Sequence, residues 1–366
     1  MSHLPLGSLS RGRGALAVPG MRLGHAGRTS DGALTGTTVL VPPPGSVAAV
    51  DVRGGGPAGH ETDVIRPGTH PYGADALVLT GGSAFGLVTA HGVQRGLMED
   101  GAGFPAPGLP GVTVPIVPAS AVFDLGRGGV PFAPPQEEDG YRAYRDARED
   151  QPGLRGSVGA GLGAWTGRGV LRGGLGQAVL RTPNGYTVTA TVVVNAMGSA
   201  VDRFGNFLAA GVLAGYGWEL PRIPAVTERW ANLDARADGT AADVPASPRN
   251  TTIACVTTDA ALDTAQAERL AGSAHAGLAR ALHPSHTLYD GDTVYALATA
   301  SAPVAREALP TVLVELNIAA ADVLSAAIVD AVMSADASPV PAPVPLSPPA
   351  VRDLAPDIAE AWDRGA

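Results

Sequence analysis

Apolar residues along this chain fall into two patterns: short unbroken runs that suit strands, and longer stretches repeating at helical spacing. Residues 34–41 and 46–52 are runs of the first kind and predict a strand pair around the turn Pro42-Pro43-Pro44-Gly45. Residues 76–80 predict a short buried strand. It runs through Gly81-Gly82-Ser83 into a helix over 84–99, with Phe85, Val88, Val93 and Leu97 on the apolar side. Residues 112–118 predict another strand, followed by Ala121-Val122-Phe123-Asp124-Leu125. The acidic stretch 136–150 predicts an exposed helix with a solvated face. After the glycine-rich segment 156–176, residues 177–181 and 186–195 predict a hairpin around Thr182-Pro183-Asn184-Gly185, with Asn-Gly as its turn signal. Its second strand is nearly continuous Val and Thr, which predicts burial on both faces.

The junction Asn250-Thr251-Thr252 separates two textures. A polar, proline-containing stretch, 222–249, stops there, and a strand-like run, 252–257, begins. A helix is expected over 263–282, with Asp263 and Gln266 spaced as a capping box and Leu270, Ala274, Leu278 and Leu282 as its stripe. Residues 293–299 predict a strand. Residues 314–333 predict a second amphipathic helix with Ile318, Val323, Leu324, Ile328 and Val332 facing inward. Beyond a single domain over 1–337, proline alternates with small residues in 338–349, so the proline-rich tail 338–366 is expected to be extended and mobile there, its last residues forming a short docked helix or none. Strands and helices come in runs rather than in βαβ alternation, which favours a layered α+β architecture over a doubly wound sheet.

Composition narrows this picture. Hydrophobic residues make up 45% of the 366 but aromatics only 5%, so the core must be built from small aliphatic side chains. Gly (49) and Pro (32) make turns abundant. The net charge of −9 argues against nucleic acid or an anionic membrane surface as partner. One cysteine, Cys255, excludes an internal disulfide and a cysteine-based zinc site. Residues 1–20 hold Arg11 and Arg13 but no continuous apolar stretch, so no signal peptide and a cytoplasmic location are expected. All 25 basic side chains are Arg. Arginine does not deprotonate in proteins, so lysine-based nucleophile or Schiff-base chemistry is excluded.

The candidate chemistry centres on the junction. If the Asn250–Thr251 bond breaks, Thr251 gains a free α-amine beside its own hydroxyl, a base and a nucleophile in one residue. The competing reading is an ordinary β-branched residue at a strand start. Asp290-Gly291-Asp292 places two carboxylates at spacing two; they could orient the Thr251 ammonium and accept protons, or form a polar turn. A metal site with His283 and His286 is the third option, although the calcium-loop pattern lacks its further ligand and glycine. Asn195 ends a buried strand, and its amide could donate to an oxyanion or make a turn. Arg168, in a glycine-rich loop, could stabilise developing negative charge or lie on the surface. Cys255 reads as a buried inert thiol, and His25, His60 and His91 as structural. The glycines after 76–80 suit an anion-binding turn or close helix–sheet packing.

Asn250-Thr251-Thr252-Ile253 together with Asp290-Gly291-Asp292-Thr293 resembles peptidase family S58, the P1 family of DmpA-type β-aminopeptidases and nylon-oligomer hydrolases. Three further blocks agree, in order. They are Leu79-Thr80-Gly81-Gly82-Ser83-Ala84-Phe85-Gly86-Leu87, Val114-Pro115-Ile116-Val117-Pro118 with Phe123-Asp124-Leu125, and Val194-Asn195-Ala196 with Gly198. The resemblance implies a four-layer αββα sandwich of the N-terminal-nucleophile type. It also implies self-cleavage into 1–250 and 251–366, and a homotetramer of the resulting α/β heterodimers. It assigns Thr251 as nucleophile, Asp290 and Asp292 as the acidic pair and Asn195 as the oxyanion-side amide. Arg168 falls where some members carry a Lys, and Phe123 where they carry a Tyr in the substrate pocket. The substrate class implied is a small peptide or a 6-aminohexanoate-type oligoamide, with no cofactor. An acyl transferase resembling ornithine acetyltransferase, or an inactive scaffold, are the alternatives.

Overall fold

The computed structural model describes residues 7–69, 73–237, 250–337 and 347–364. Fifteen strands are present among them. A six-stranded sheet has the order β1-β12-β13-β14-β15-β4. Its members are β1 (Ser8–Arg11), β4 (Val47–Val52), β12 (Gly174–Arg181), β13 (Thr187–Asn195), β14 (Thr251–Ala260) and β15 (Thr293–Ala302). A five-stranded sheet, β2-β3-β6-β9-β5, consists of β2 (Arg22–Arg28), β3 (Thr35–Val41), β5 (Gly59–His60), β6 (Leu77–Thr80) and β9 (Ala119–Ala121). Two small ribbons complete the set: β7 (Phe104–Pro105) with β8 (Thr113–Val114), and β10 (Trp165–Thr166) with β11 (Leu171–Arg172).

The two sheets stack face to face and helices cover both outer faces, as expected for an αββα sandwich. Alternation along each strand explains why. On β13, β14 and β15 one set of side chains, Val193, Ile253, Cys255, Tyr295 and Leu297, meets Leu23, Leu40, Leu77 and Leu79 of the other sheet. The alternate set, Val192, Val194, Ala254, Val256, Val294 and Ala296, packs under α5 (Thr264–Ala281) and α6 (Leu309–Met333). On the five-stranded sheet, Val39, Val41 and Val78 pack under α1 (Thr89–Glu99) and α2 (Glu137–Asp146). Small residues permit close layers. A side chain on Gly277 of α5 would meet the Ala321 carbonyl of α6 at 1.8 Å. By length and composition α6 is apolar enough to cross a membrane, but most of it is buried between α5 and the strands β12 and β13. Short helices α3 (Ala210–Ala214) and α4 (Val226–Ala237) precede the junction, and residues 238–249 of the expected loop lie outside the described residues.

Several expectations hold in detail. The hairpin β12–β13 turns at Asn184-Gly185, and β13 is buried along its whole length. The α5 capping box forms, with Gln266 N–H donating to Asp263 at 2.8 Å and Asp263 N–H to Gln266 at 3.0 Å. Others are corrected. β3 and β4 do not pair: β3 lies between β2 and β6, whereas β4 joins β15 in the other sheet. Three prolines without N–H donors, then Gly45 at φ 84°, carry the chain across the sandwich instead of closing a hairpin. Of the strand predicted over 112–118, only Thr113–Val114 is extended and paired. The helix α2 is not merely a solvated face, because Gly140, Ala143 and Tyr144 pack inward. Ile318 is 38% exposed rather than inward. In the tail, residues 338–346 lie outside the described residues, but α7 (Val351–Leu354) and α8 (Pro356–Arg364) dock against the body. Trp362 anchors them, 6% exposed, donating its indole N–H to buried Asp330 at 3.2 Å.

Candidate active site

Thr251 opens the central strand β14 and stands opposite Asn195, the last residue of β13. Alternation gives both the same face as Val193 and Ile253, toward the space between the sheets. Thr251 is 5% exposed and Asn195 is fully buried. The Thr251 hydroxyl donates to the carbonyl of Asn250 at 2.5 Å. The Gly291 N–H reaches that carbonyl at 3.2 Å and the Thr251 Oγ1 at 3.2 Å. Asn250 in turn bridges Asp290 in parallel. A side chain at Gly291 would stand 2.9 Å from Thr251 Oγ1, so glycine is what brings this N–H so near.

The two aspartates flank that contact, both 1% exposed. Asp292 accepts the Thr252 N–H at 2.8 Å with one oxygen. Its other oxygen accepts the His286 N–H and pairs with His286 Nδ1, both at 2.8 Å. Asp290 accepts the Thr287 N–H at 3.0 Å and hydroxyl at 2.5 Å. Burial pushes the Asp290 carboxyl above its usual range, the Thr287 hydroxyl opposes this, and the Asp292 charge adds to it. The described contacts tie Asp292 to the backbone beside Thr251 and Asp290 to Thr287, and neither carboxylate to the Thr251 hydroxyl. The segment Gly54-Gly55-Gly56 lies against them, with Gly54 N–H on the Asp292 carbonyl at 3.1 Å and Gly56 N–H on the Asp290 carbonyl at 2.9 Å. This is the close approach that three glycines allow; a Cβ on Gly54 would lie 2.3 Å from the Asp290 oxygen.

Around Asn195 the site differs from the sequence expectation. The Asn195 Oδ1 accepts a guanidinium N–H from Arg127 and the Trp165 N–H at 3.1 Å, and Nδ2 donates to the Phe123 carbonyl at 3.2 Å. Arg127 also donates to the Gly163 carbonyl and stacks over the Trp165 ring at 4.4 Å. Arg168, by contrast, is exposed in the turn between β10 and β11 at φ 57°. Among the described residues no hydrogen bond or ion pair joins it to Thr251, Asn195 or either aspartate. The cation that meets Asn195 in this structure is Arg127, from a different loop. Phe123 is half-buried, and it is its backbone carbonyl that reaches Asn195.

Asp124, next to Phe123, is 2% exposed and accepts the Gly82 N–H at 2.7 Å. The glycine turn after β6 thus does hold an anion, one supplied by the chain itself. Burial pushes the Asp124 carboxyl up to about 6 and pulls the Arg127 guanidinium down to about 10. Sequence reasoning passed over Arg127. Its available signal was the spacing Asp124-x-x-Arg127, which puts acid and base on one turn.

The remaining candidates stay apart from this cluster. Cys255 is buried between the sheets with its thiol pushed up to about 12 by burial. His25 is held by Thr38 at 3.0 Å, and burial draws its ring down to about 4. His60 and His91 stack edge to face, 5.5 Å apart. No group of three or more His, Cys, Asp or Glu among the described residues is placed to hold a metal ion.

Comparison with known proteins bears on the family and the fold. The family model described as peptidase family S58 matches residues 16–341. An uncharacterized aminopeptidase of Mycobacterium leprae is 39% identical over 87% of this chain and 90% of its own length. A 6-aminohexanoate-oligomer endohydrolase of Paenarthrobacter ureafaciens is 28% identical over 81% of this chain and 77% of its own. Among solved structures, the L-aminopeptidase D-Ala-esterase/amidase of Ochrobactrum anthropi, described as a variant of the Ntn hydrolase fold, superposes with a TM-score of 0.68. It covers 99% of this chain and 98% of its own, at 20% identity. A Burkholderia β-aminopeptidase gives 0.62 at 23% identity, covering 91% and 90%.

Proposed function

The chain belongs to peptidase family S58, and from that premise we propose that it is an amide hydrolase that cuts itself at Asn250–Thr251 and then uses Thr251 as an N-terminal nucleophile. One observation carries the reading: the Thr251 hydroxyl lies 2.5 Å from the Asn250 carbonyl oxygen, with the Gly291 N–H directed at the same oxygen. In maturation, Oγ1 bonds to the Asn250 carbonyl carbon. The negative charge gathers on the carbonyl oxygen, where the Gly291 N–H meets it. Collapse breaks the carbon–nitrogen bond, the hydroxyl proton passes to the departing nitrogen, and an ester with a free Thr251 amine results. Water hydrolyses the ester.

In turnover that amine, with a reference pKa of about 7.7–8.0, takes the hydroxyl proton near neutral pH. Oγ1 attacks the substrate amide, the amine of the substrate leaves with a proton, and water releases the acyl group. Asn195 donates to the oxyanion. Asp290 and Asp292 hold the new chain end through Thr252 and the loop before Gly291, and balance its ammonium. Substrates are short peptides or oligoamides, the classes named for the relatives.

Purified protein should run as two fragments on a denaturing gel, with Thr251 at the start of the smaller one. Thr251→Ala should stay whole and inert. An intact, active wild-type chain overturns the proposal. Assay with and without an amino-acid acceptor separates hydrolysis from acyl transfer.

A further inference from the structure

The amide of Asn195 has nearly all its hydrogen-bonding capacity spoken for. Its oxygen takes two donors, Arg127 and the Trp165 N–H, and one of its two N–H groups goes to the Phe123 carbonyl. Turning the amide over would set its NH2 against two donors and its oxygen against a carbonyl, so the network permits one orientation. The remaining open valence is the second Nδ2 hydrogen, on the face that Asn195 shares with Thr251. Arg127 is itself clamped by the Gly163 carbonyl and the Trp165 ring. Both oxygens it donates to are uncharged amide oxygens. The guanidinium is half-buried, feels the charge of Asp124 without an ion pair to it, and hydrogen-bonds only neutral oxygens; cations held in this way are found at working sites.

We propose that Arg127 is the positioning residue of the amide-hydrolase reaction: it locks the Asn195 amide with its free N–H toward the carbonyl oxygen that Thr251 attacks, and its charge polarises that amide as negative charge develops. This rests on Thr251 being the nucleophile. A donor whose own oxygen is hydrogen-bonded to a cation is a stronger donor, because chained hydrogen bonds polarise one another. The role expected of Arg168 thereby falls to a side chain that reaches the site through Asn195. Maturation is a separate matter, because the Asn250 carbonyl faces the Gly291 N–H instead.

The test uses Arg127→Ala, Arg127→Lys, Asn195→Ala and the double variant Arg127→Ala/Asn195→Ala, all in the full chain. Arg127→Ala is expected to cut itself into the same two fragments as wild type, which reports a native junction. Its kcat should fall about 10- to 100-fold, less than the roughly 100- to 1000-fold for losing an oxyanion donor outright because the donor itself stays, with KM changed less than about threefold. The double variant should be no slower than Asn195→Ala alone, since one residue acts through the other. Millimolar guanidinium should restore part of the Arg127→Ala rate and none of the double variant's. Arg127→Lys, which keeps the charge but not the planar fork, should fall between wild type and Arg127→Ala, and covers the case in which alanine prevents folding. A kcat within twofold of wild type in Arg127→Ala, or in Arg127→Lys where alanine prevents folding, overturns the inference, as do effects of Arg127 and Asn195 that multiply. Thr251→Ala separates the two layers: residual turnover there sinks the nucleophile, whereas a dead Thr251→Ala with multiplying effects sinks only the role of Arg127.

Discussion

Two of the loops that carry an arginine between glycines end in opposite ways. In Gly126-Arg127-Gly128 the side chain runs inward, stacks on Trp165 and binds Asn195. In Gly167-Arg168-Gly169, just after that same Trp165, all three residues have positive φ, and the arginine at φ 57° stands in solvent. The difference lies in what precedes each loop. Asp124, three residues before Arg127, is buried and fixed by the Gly82 N–H, and the Arg127 N–H closes a turn on its carbonyl at 3.4 Å. The Arg168 turn is pinned through the backbone of its glycines, by Gly167 N–H to the Gly198 carbonyl and Arg229 to the Gly169 carbonyl. An inward anchor aims a side chain; a backbone clamp on either side of it leaves the side chain outside.

The comparison can be broken at four places. Thr251→Ala has the largest expected effect, an uncut chain with turnover reduced by more than about a thousandfold, and it sets the floor for the other measurements. Next, Arg127→Ala should lose about 10- to 100-fold in kcat, as measured on the cut enzyme. Third is a pH effect confined to the inward loop. The Asp124 carboxyl, raised to about 6 by burial, favours the fold while neutral, and that contribution fades as pH rises through the folded value. The stability of Asp124→Asn relative to wild type should therefore increase by about 1 kcal/mol between pH 5 and pH 8, read from urea midpoints. A flat difference would mean that Asp124 is ionised throughout. Smallest is Arg168→Ala, expected to leave kcat within about twofold, as surface substitutions usually do. A tenfold loss there would exchange the roles of the two loops.

Local chemistry was the part of the fold legible in the sequence. Asn184-Gly185 named its hairpin, and Asp263 with Gln266 named the start of α5, because each signal acts over a few residues. The misplaced pairing of 34–41 with 46–52 shows the limit. Both are strands, but their partners, β2, β6 and β15, come from elsewhere in the chain, and adjacency in sequence does not reveal that choice. The same divide runs through the site. Thr251, Asn195 and the two aspartates were visible as residue types at suggestive places, but their meeting depends on strand register. The choice between Arg127 and Arg168 depends on a buried carboxyl that glycine spacing does not encode. In the tail, composition left open whether the last residues dock, and the contact that decides it, Trp362 on Asp330, joins positions 32 residues apart.

The strand order of the larger sheet has a consequence for the two pieces a cut at Thr251 creates. Only β14 and β15 come from the segment after the cut, and they lie between β13 and β4, both from before it. Each fragment is thus gripped on two sides by the other, through ladders and a shared interior. Dilution offers such fragments no route apart, since letting go of one neighbour still leaves the second in place. Separation and unfolding become a single event, and the two chains behave, for every purpose short of denaturation, as one.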